Sequence, residues 1–254
     1  MSSTDPRRSG PHRRSSPSGA GRHVIVVADG DVGTRAELDA AWPGWSEGAG
    51  PVIAADGGLA RAEAAGLAPA VLVGDLDSLD PGQAARAAAA GILVRRSQPD
   101  KDESDAELAL LEAVALGATR ITLLGAFGGP RLDHALANVW LLAHPALEGI
   151  DLVLLGPEAR ACLVAGPGPD GRPASRDLPG RVGATVTLLP FGGDVDGVST
   201  RGLRYPLDDE PLVVGPARGL SNVRVDPGAS VTVRRGRLLV VETANRGGGL
   251  SSDA

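Results

Sequence analysis

The chain has 254 residues, a net charge of −6 and 43% broadly hydrophobic residues, enough for one large or two modest cores. The acidic balance disfavours a globally basic nucleic-acid binder, and an aromatic content of 2% leaves little for a base-stacking platform. No run of 18 apolar residues is present, so no membrane partner is expected, and the single Cys162 excludes an intrachain disulfide framework or a CxxC site.

Residues 1–22 are rich in Ser, Pro, Gly and Arg without periodicity and read as a disordered basic tail. Arg13-Arg14 has no apolar region behind it, so no twin-arginine signal is assigned and a cytoplasmic location is expected. From Val24 onward, short apolar runs recur: Val24–Ala28, Val52–Ala55, Val71–Val73, Ile92–Val94, Ile121–Leu124 and Leu152–Leu155. They do not alternate with polar residues, as befits strands covered on both faces. Between them, Leu59–Gly66, Gln83–Gly91, Asp105–Gly117 and Leu132–Ala143 predict helices. Such alternation predicts an α/β fold, with a parallel sheet in a domain spanning 23–157.

The character changes beyond that point. Residues 158–180 read as a linker, rich in Gly and Pro from Pro167 to Pro179. Strands are then predicted at Ala184–Leu189, Gly197–Leu203, Leu212–Val214, Ser230–Arg234 and Leu238–Thr243, with Arg235-Gly236 as a hairpin turn between the last two. Residues 181–246 therefore predict a small all-β sandwich domain, and 247–254 a frayed tail.

In open α/β sheets, ligands sit beyond the carboxyl ends of the strands. Four of those ends carry Gly or Asp clusters: Asp56-Gly57-Gly58, Gly74-Asp75-Leu76-Asp77-Ser78, Asp100-Lys101-Asp102-Glu103-Ser104-Asp105, and Gly125–His134. Some of these residues have local duties. Asp80-Pro81 with Gln83, and Ser104 with Glu107, read as capping boxes, and Asp105 in a first helical turn complements the helix dipole. Asp75 and Asp77, two apart on an extended segment, would face one side, where paired carboxylates need a cation between them. Hard oxygen donors on a loop suit Mg²⁺; the competing reading is an Asx turn at Asp77-Ser78. Gly125–Gly129 before a helix forms an anion cradle, with Arg131 in reach of phosphate oxygens. His134 and Asn138 share a helix face, whereas Leu132, Leu136, Val139 and Trp140 form its apolar side. Lys101 is the only lysine, so no P-loop can be written. No Gly-x-Ser-x-Gly elbow or Gly-x-Gly-x-x-Gly fingerprint is present either. A metal–nucleotide or other polyphosphate fits this rim.

Taken in order and spacing, these clusters with Asn138 resemble the thiamine pyrophosphokinase family. The β part adds Gly202-Leu203-Arg204-Tyr205-Pro206-Leu207 and Ser221-Asn222, similar to that family's second-domain elements. The resemblance implies a Rossmann-like α/β domain followed by a β-sandwich. It implies transfer of diphosphate from ATP to the hydroxyl of thiamine, giving thiamine diphosphate and AMP, in a homodimer whose site lies between subunits. Asp75, Asp77 and Asp105 would hold Mg²⁺. Asp77, Asp105 and Arg131 would be catalytic, with Asp77 or Asp105 accepting the hydroxyl proton. Asp56, Gly57, Gly58, Lys101, Asp102, Gly128, Gly129, Asp133, His134 and Asn138 would bind the nucleotide, and Ser221 and Asn222 the acceptor. ATP is strongly anionic, so an acidic site accepts it only through the metal. The chain departs from the family pattern in three places. Ser104 stands for the usual Thr, Pro130 lengthens the Gly-Gly-Arg element, and no Trp lies in the β part. A pyrophosphokinase for another alcohol, such as a hydroxymethylpterin, or a non-catalytic nucleotide-binding regulator, are the alternatives.

Overall fold

The computed structural model describes residues 21–76, 81–98 and 100–244. Six strands, β1 (Arg22–Val27), β2 (Ala49–Ala55), β3 (Pro69–Gly74), β4 (Leu93–Arg96), β5 (Ala118–Leu124) and β6 (Asp151–Leu155), pair in parallel in the order β4-β3-β2-β1-β5-β6. Arg22 thus already belongs to a strand. Residues 1–20 of the proposed basic tail, the 247–254 tail, Asp77, Ser78 and Asp80 lie outside the described residues.

Each crossover carries a helix: α1 (Arg35–Ala41), α2 (Gly58–Ala64), α3 (Pro81–Ala89), α4 (Asp105–Ala115) and α5 (Leu132–Trp140). The sequence reading did not anticipate α1, although Thr34 and Glu37 form a reciprocal capping box at its start. Successive strand residues face opposite ways, and both faces are covered. Val24 and Val26 of β1 pack with Ala109, Leu110 and Ala113 of α4, while Ile25 and Val27 pack with Leu38 of α1 and with Trp42 and Trp45. The uniform apolar strands follow from this two-sided burial. After β4 at the sheet edge, the chain returns through α4 to place β5 on the other side of β1. The crevice where strand order reverses lies between β1 and β5.

The sheet does not stop at β6. Strand β7 (Ala159–Gly166) runs antiparallel to it, within the stretch that reads as a linker, and β8 (Ala174–Asp177) follows in the same stretch. Beyond these come β9 (Thr185–Pro190), β10 (Val195–Arg201), β11 (Glu210–Leu212), β12 (Asn222–Val223) and β13 (Ser230–Thr243). The hairpin expected at Arg235-Gly236 is absent: β13 is one strand of 14 residues. Its first half pairs with β8 and β10, its second with β7 and β9. Val231 and Val233 face the second core before the bend, and Leu238 and Val240 after it, so the inward parity shifts by one residue. Gly236 makes that shift possible. Its φ is +100°, and a Cβ there would lie 2.8 Å from the Asp194 carbonyl oxygen. A bend and a turn leave the same glycine signature in sequence.

Candidate active site

A cavity of about 270 Å³ opens beyond the carboxyl ends of β1, β2 and β5, at the switch point. Its walls come from Asp29-Gly30 after β1, Asp56-Gly57 after β2, Ser104-Asp105 at the start of α4, and the glycine loop that leads into α5. Asp29 and Gly30 were missed in the sequence reading. Their signal was the same as at the other strands, an Asp-Gly pair directly behind an apolar run. Asp29 takes Arg61 of α2 in an exposed ion pair of 3.1 Å.

At one side, Asp56, Asp75 and Asp105 each bring a carboxylate oxygen within 4.8 Å of the others. They arrive from the ends of β2 and β3 and from the first turn of α4. Asp56 is 5% exposed and has φ +44°, and Leu76, next to Asp75, has φ +67°. Two such residues in the left-handed region within one small site are strained backbone held by its surroundings. Leu76 also corrects the expectation of an extended Asp75–Asp77 segment, because β3 ends at Gly74 and the pleat that would align alternate residues ends with it. Asp77 lies outside the described residues; Asp56, assigned beforehand to the nucleotide, stands in the carboxylate group instead. Gly74 has φ +151°, and a Cβ on it would sit 3.0 Å from the Asp56 Cβ and 3.3 Å from Asp105 Oδ1. Its missing side chain is the space in which the carboxylates meet.

Lys101 brings a cation to this group. Its Nζ pairs with Asp105 Oδ1 and donates to Ser97 Oγ at 2.8 Å. Ser104 does act as the cap of α4, accepting from the Glu107 backbone N–H at 3.1 Å. Three hard oxygen donors converging within one small sphere fit a divalent cation such as Mg²⁺.

The opposite wall is built for an anion. Gly128, Gly129, Arg131 and His134 line the cavity together with Asn138. Asn138 is buried and donates through Nδ2 to the Ala126 carbonyl at 3.1 Å, which ties the loop to α5. The same loop is fastened to β1's end by the Gly30 and Asp31 N–H groups, which donate to the carbonyls of Gly125 and Phe127. Arg131 and Asp133 form an exposed two-point pair, 2.9 and 2.5 Å. The hydrogen bond from Arg131 holds the Asp133 carboxyl well below the usual carboxylate range, and the same bond raises the Arg131 guanidinium. Gly58 sits deeper, where a Cβ would collide with the Val27 carbonyl, and Asp102 is exposed on the loop before α4.

Ser221 and Asn222 are in the β part and do not line this cavity. Asn222 is buried in a clasp: Oδ1 accepts from the Tyr205 N–H at 3.0 Å and Nδ2 donates to the Tyr205 carbonyl at 2.7 Å. Ser221 is exposed, with φ +58°, and its N–H donates to Thr187 Oγ1.

Acidic groups facing a glycine-lined loop, at the reversal point of a parallel sheet, mark an α/β transferase that handles phosphate groups. Comparison with known proteins narrows this. The family model for the thiamin pyrophosphokinase catalytic domain matches residues 45–154, and that for the thiamin pyrophosphokinase vitamin B1 binding domain matches residues 176–238. A thiamine pyrophosphokinase of Bacillus subtilis is 25% identical over 193 residues, covering 76% of this chain and 87% of its own. The crystal structure of the B. subtilis thiamine pyrophosphokinase superposes with a TM-score of 0.73 at 23% identity, covering 88% of this chain and all of that one. Yeast thiamin pyrophosphokinase does so with a TM-score of 0.65 at 14% identity, covering 89% and 87%. At such identities the solved structures speak for the fold. The chain belongs to the thiamin pyrophosphokinase family.

Proposed function

We propose that this chain transfers the diphosphate group of ATP to the hydroxyl of thiamine, releasing AMP, and that it requires Mg²⁺ to do so. The observation that carries the reading is the meeting of Asp56, Asp75 and Asp105 across from the Gly128-Gly129 loop. In this reading the three carboxylates hold Mg²⁺, which offsets the charge of the polyphosphate. The glycine loop and Arg131 would take the phosphate oxygens. Arg131 can exchange its exposed Asp133 partner for phosphate at little cost, because surface ion pairs are weak. Lys101 lies within reach of the same group and would add positive charge on its far side. A carboxylate at this rim, Asp77 or Asp105, would accept the hydroxyl proton. Catalysis then rests on positioning and on charge complementarity at the reacting phosphorus.

The acceptor side completes the proposal. Residues 23–157 would carry the nucleotide and residues 181–246 the thiamine. Because the exposed Ser221 stands off the cavity within one chain, a homodimer in which the β part of one copy faces the cavity of the other would bring it to the acceptor, with the buried Asn222 holding the Tyr205 backbone beside it. Helix α5, which lines the cavity through His134 and Asn138, turns Leu132, Leu136 and Trp140 to solvent, with exposures of 73, 55 and 58%. An apolar stripe of that kind supports a face between copies. The test is direct: incubate the protein with ATP, thiamine and Mg²⁺, and read thiamine diphosphate and AMP by mass. The expected result is equimolar formation of both, abolished by chelating the metal. Absence of thiamine diphosphate at full metal and ATP would overturn the reading.

A further inference from the structure

We infer that a second cavity, formed by Arg160, Arg181 and Arg224 against Trp42, binds a small phosphate-type oxyanion. This cavity, about 290 Å³, lies between the segment following α1 and the start of the β part. It shares no lining residue with the carboxylate cavity.

Charge is the first argument. Three guanidinium groups line it, and among the described residues lining it there is no carboxylate. The one acidic partner is Glu242, behind the wall, which serves both Arg160 at 2.7 Å and Arg224. Arg181, which is exposed, hydrogen-bonds to the Ala40 carbonyl at 2.9 Å and forms no ion pair among the described residues. Three cations against one carboxylate leave an excess of about two positive charges around the cavity, a field that attracts an anion.

Burial is the second. Arg224 is 1% exposed, and its Nε finds no hydrogen-bond acceptor among the described residues. A buried guanidinium with a spare donor is costly, and an added acceptor beside it would offset that cost. Gly180 keeps space beside it, since a Cβ there would collide with Nη1 and lie 2.7 Å from Cζ of Arg224. The remaining wall is apolar and rigid. Trp42 is fixed by its Nε1 donating to the Gly156 carbonyl at 2.8 Å, with the Arg160 guanidinium 4.8 Å over its ring, and Pro43 and Pro179 stand beside it. Planar N–H forks select tetrahedral or carboxylate oxyanions by paired hydrogen bonds. A free phosphate or diphosphate and the phosphate of a nucleoside monophosphate share this chemistry.

The test titrates the full chain with inorganic phosphate, inorganic diphosphate and AMP in separate runs, without Mg²⁺, followed by calorimetry and by tryptophan fluorescence. Metal-free conditions weaken these anions' hold on the carboxylate cavity, and Arg131→Gln reports any binding that remains there. One saturable site is expected, weakened about fivefold or more by Arg181→Gln and further by Arg181→Glu. Arg131→Gln should leave it unchanged, and Trp42→Phe should remove most of the fluorescence response while the heat of binding persists. Tighter binding of AMP than of phosphate assigns the site to a phosphomonoester; equal binding assigns it to the free anion. The inference is overturned by no saturable heat up to about 10 mM ligand. It is equally overturned by binding that Arg131→Gln abolishes and Arg181→Gln spares. Both outcomes leave the diphosphate transfer reaction untouched.

Discussion

Gly74 shows how much a missing side chain can do. Its φ of +151° and the 3.0 and 3.3 Å approaches to Asp56 and Asp105 mean that Gly74→Ala must both strain the backbone and push the carboxylates apart. The expected outcome is a loss of about 1–3 kcal/mol in chemical denaturation and a larger proportional loss of turnover. Asp75→Asn separates the two effects, since it removes a charge without changing volume. Metal-dependent AMP formation should fall by at least about 100-fold with an unchanged circular dichroism spectrum, because electrostatic contributions at such centres are of that order. Wild-type rates in Asp75→Asn would remove it from the chemistry. Most of these residues were legible in sequence as Asp and Gly clusters behind apolar runs. Which aspartates meet was not, because pairing across β2, β3 and α4 depends on strand order. Asp56 and Asp105 are neighbours only because β2 lies beside β3 and α4 returns over both.

At the scale of elements, capping and periodicity carried the information. Ser104 caps α4, and Ser104→Ala should cost about 1 kcal/mol, read as a lowered melting temperature. Because that cap also sets where Asp105 begins the helix, the variant should lose turnover as well. Strand β1 contributes a pH response. His23 is 3% exposed; its Nδ1 lies 3.3 Å from the Glu47 carbonyl and its Nε2 2.9 Å from Thr122 Oγ1. A carbonyl only accepts, so Nδ1 carries the proton and Nε2 accepts from the Thr122 hydroxyl. Burial holds this imidazole below its ordinary value of 6.5. The unfolded chain therefore takes up the proton first as pH falls through 6.5, and folded stability declines below that point. Urea midpoints measured from pH 7.5 to 5 should fall, and His23→Gln should flatten that fall. Strand β13 marks the limit of local reading. Its apolar alternation breaks at Arg235-Gly236, and whether the chain reverses or bends there is decided by partners on four other strands.

For the molecule as a whole, the exposed stripe of α5 is an apolar surface that the described residues cover only at Trp140, which packs on Phe191. If two copies bury it, Leu136→Asp should convert a dimer to a monomer in sedimentation velocity and lower diphosphate transfer together with it, while the monomer keeps its secondary structure. The stripe was visible in sequence as an apolar side; the expectation for such a side is a core contact, and the structure instead leaves it outside. Among the described residues no helix is long and apolar enough to cross a membrane. The amino-acid sequence alone determined the parallel α/β architecture, the caps, and the set of acidic and glycine-rich strand ends, because those depend on hydrophobic period and on chemistry within a few residues. Tertiary structure alone decided that Asp56 joins Asp75 and Asp105, that β13 is a single bent strand, and that three distant arginines share one cavity. Each of these is set by contacts between segments far apart in the chain, which no local pattern encodes.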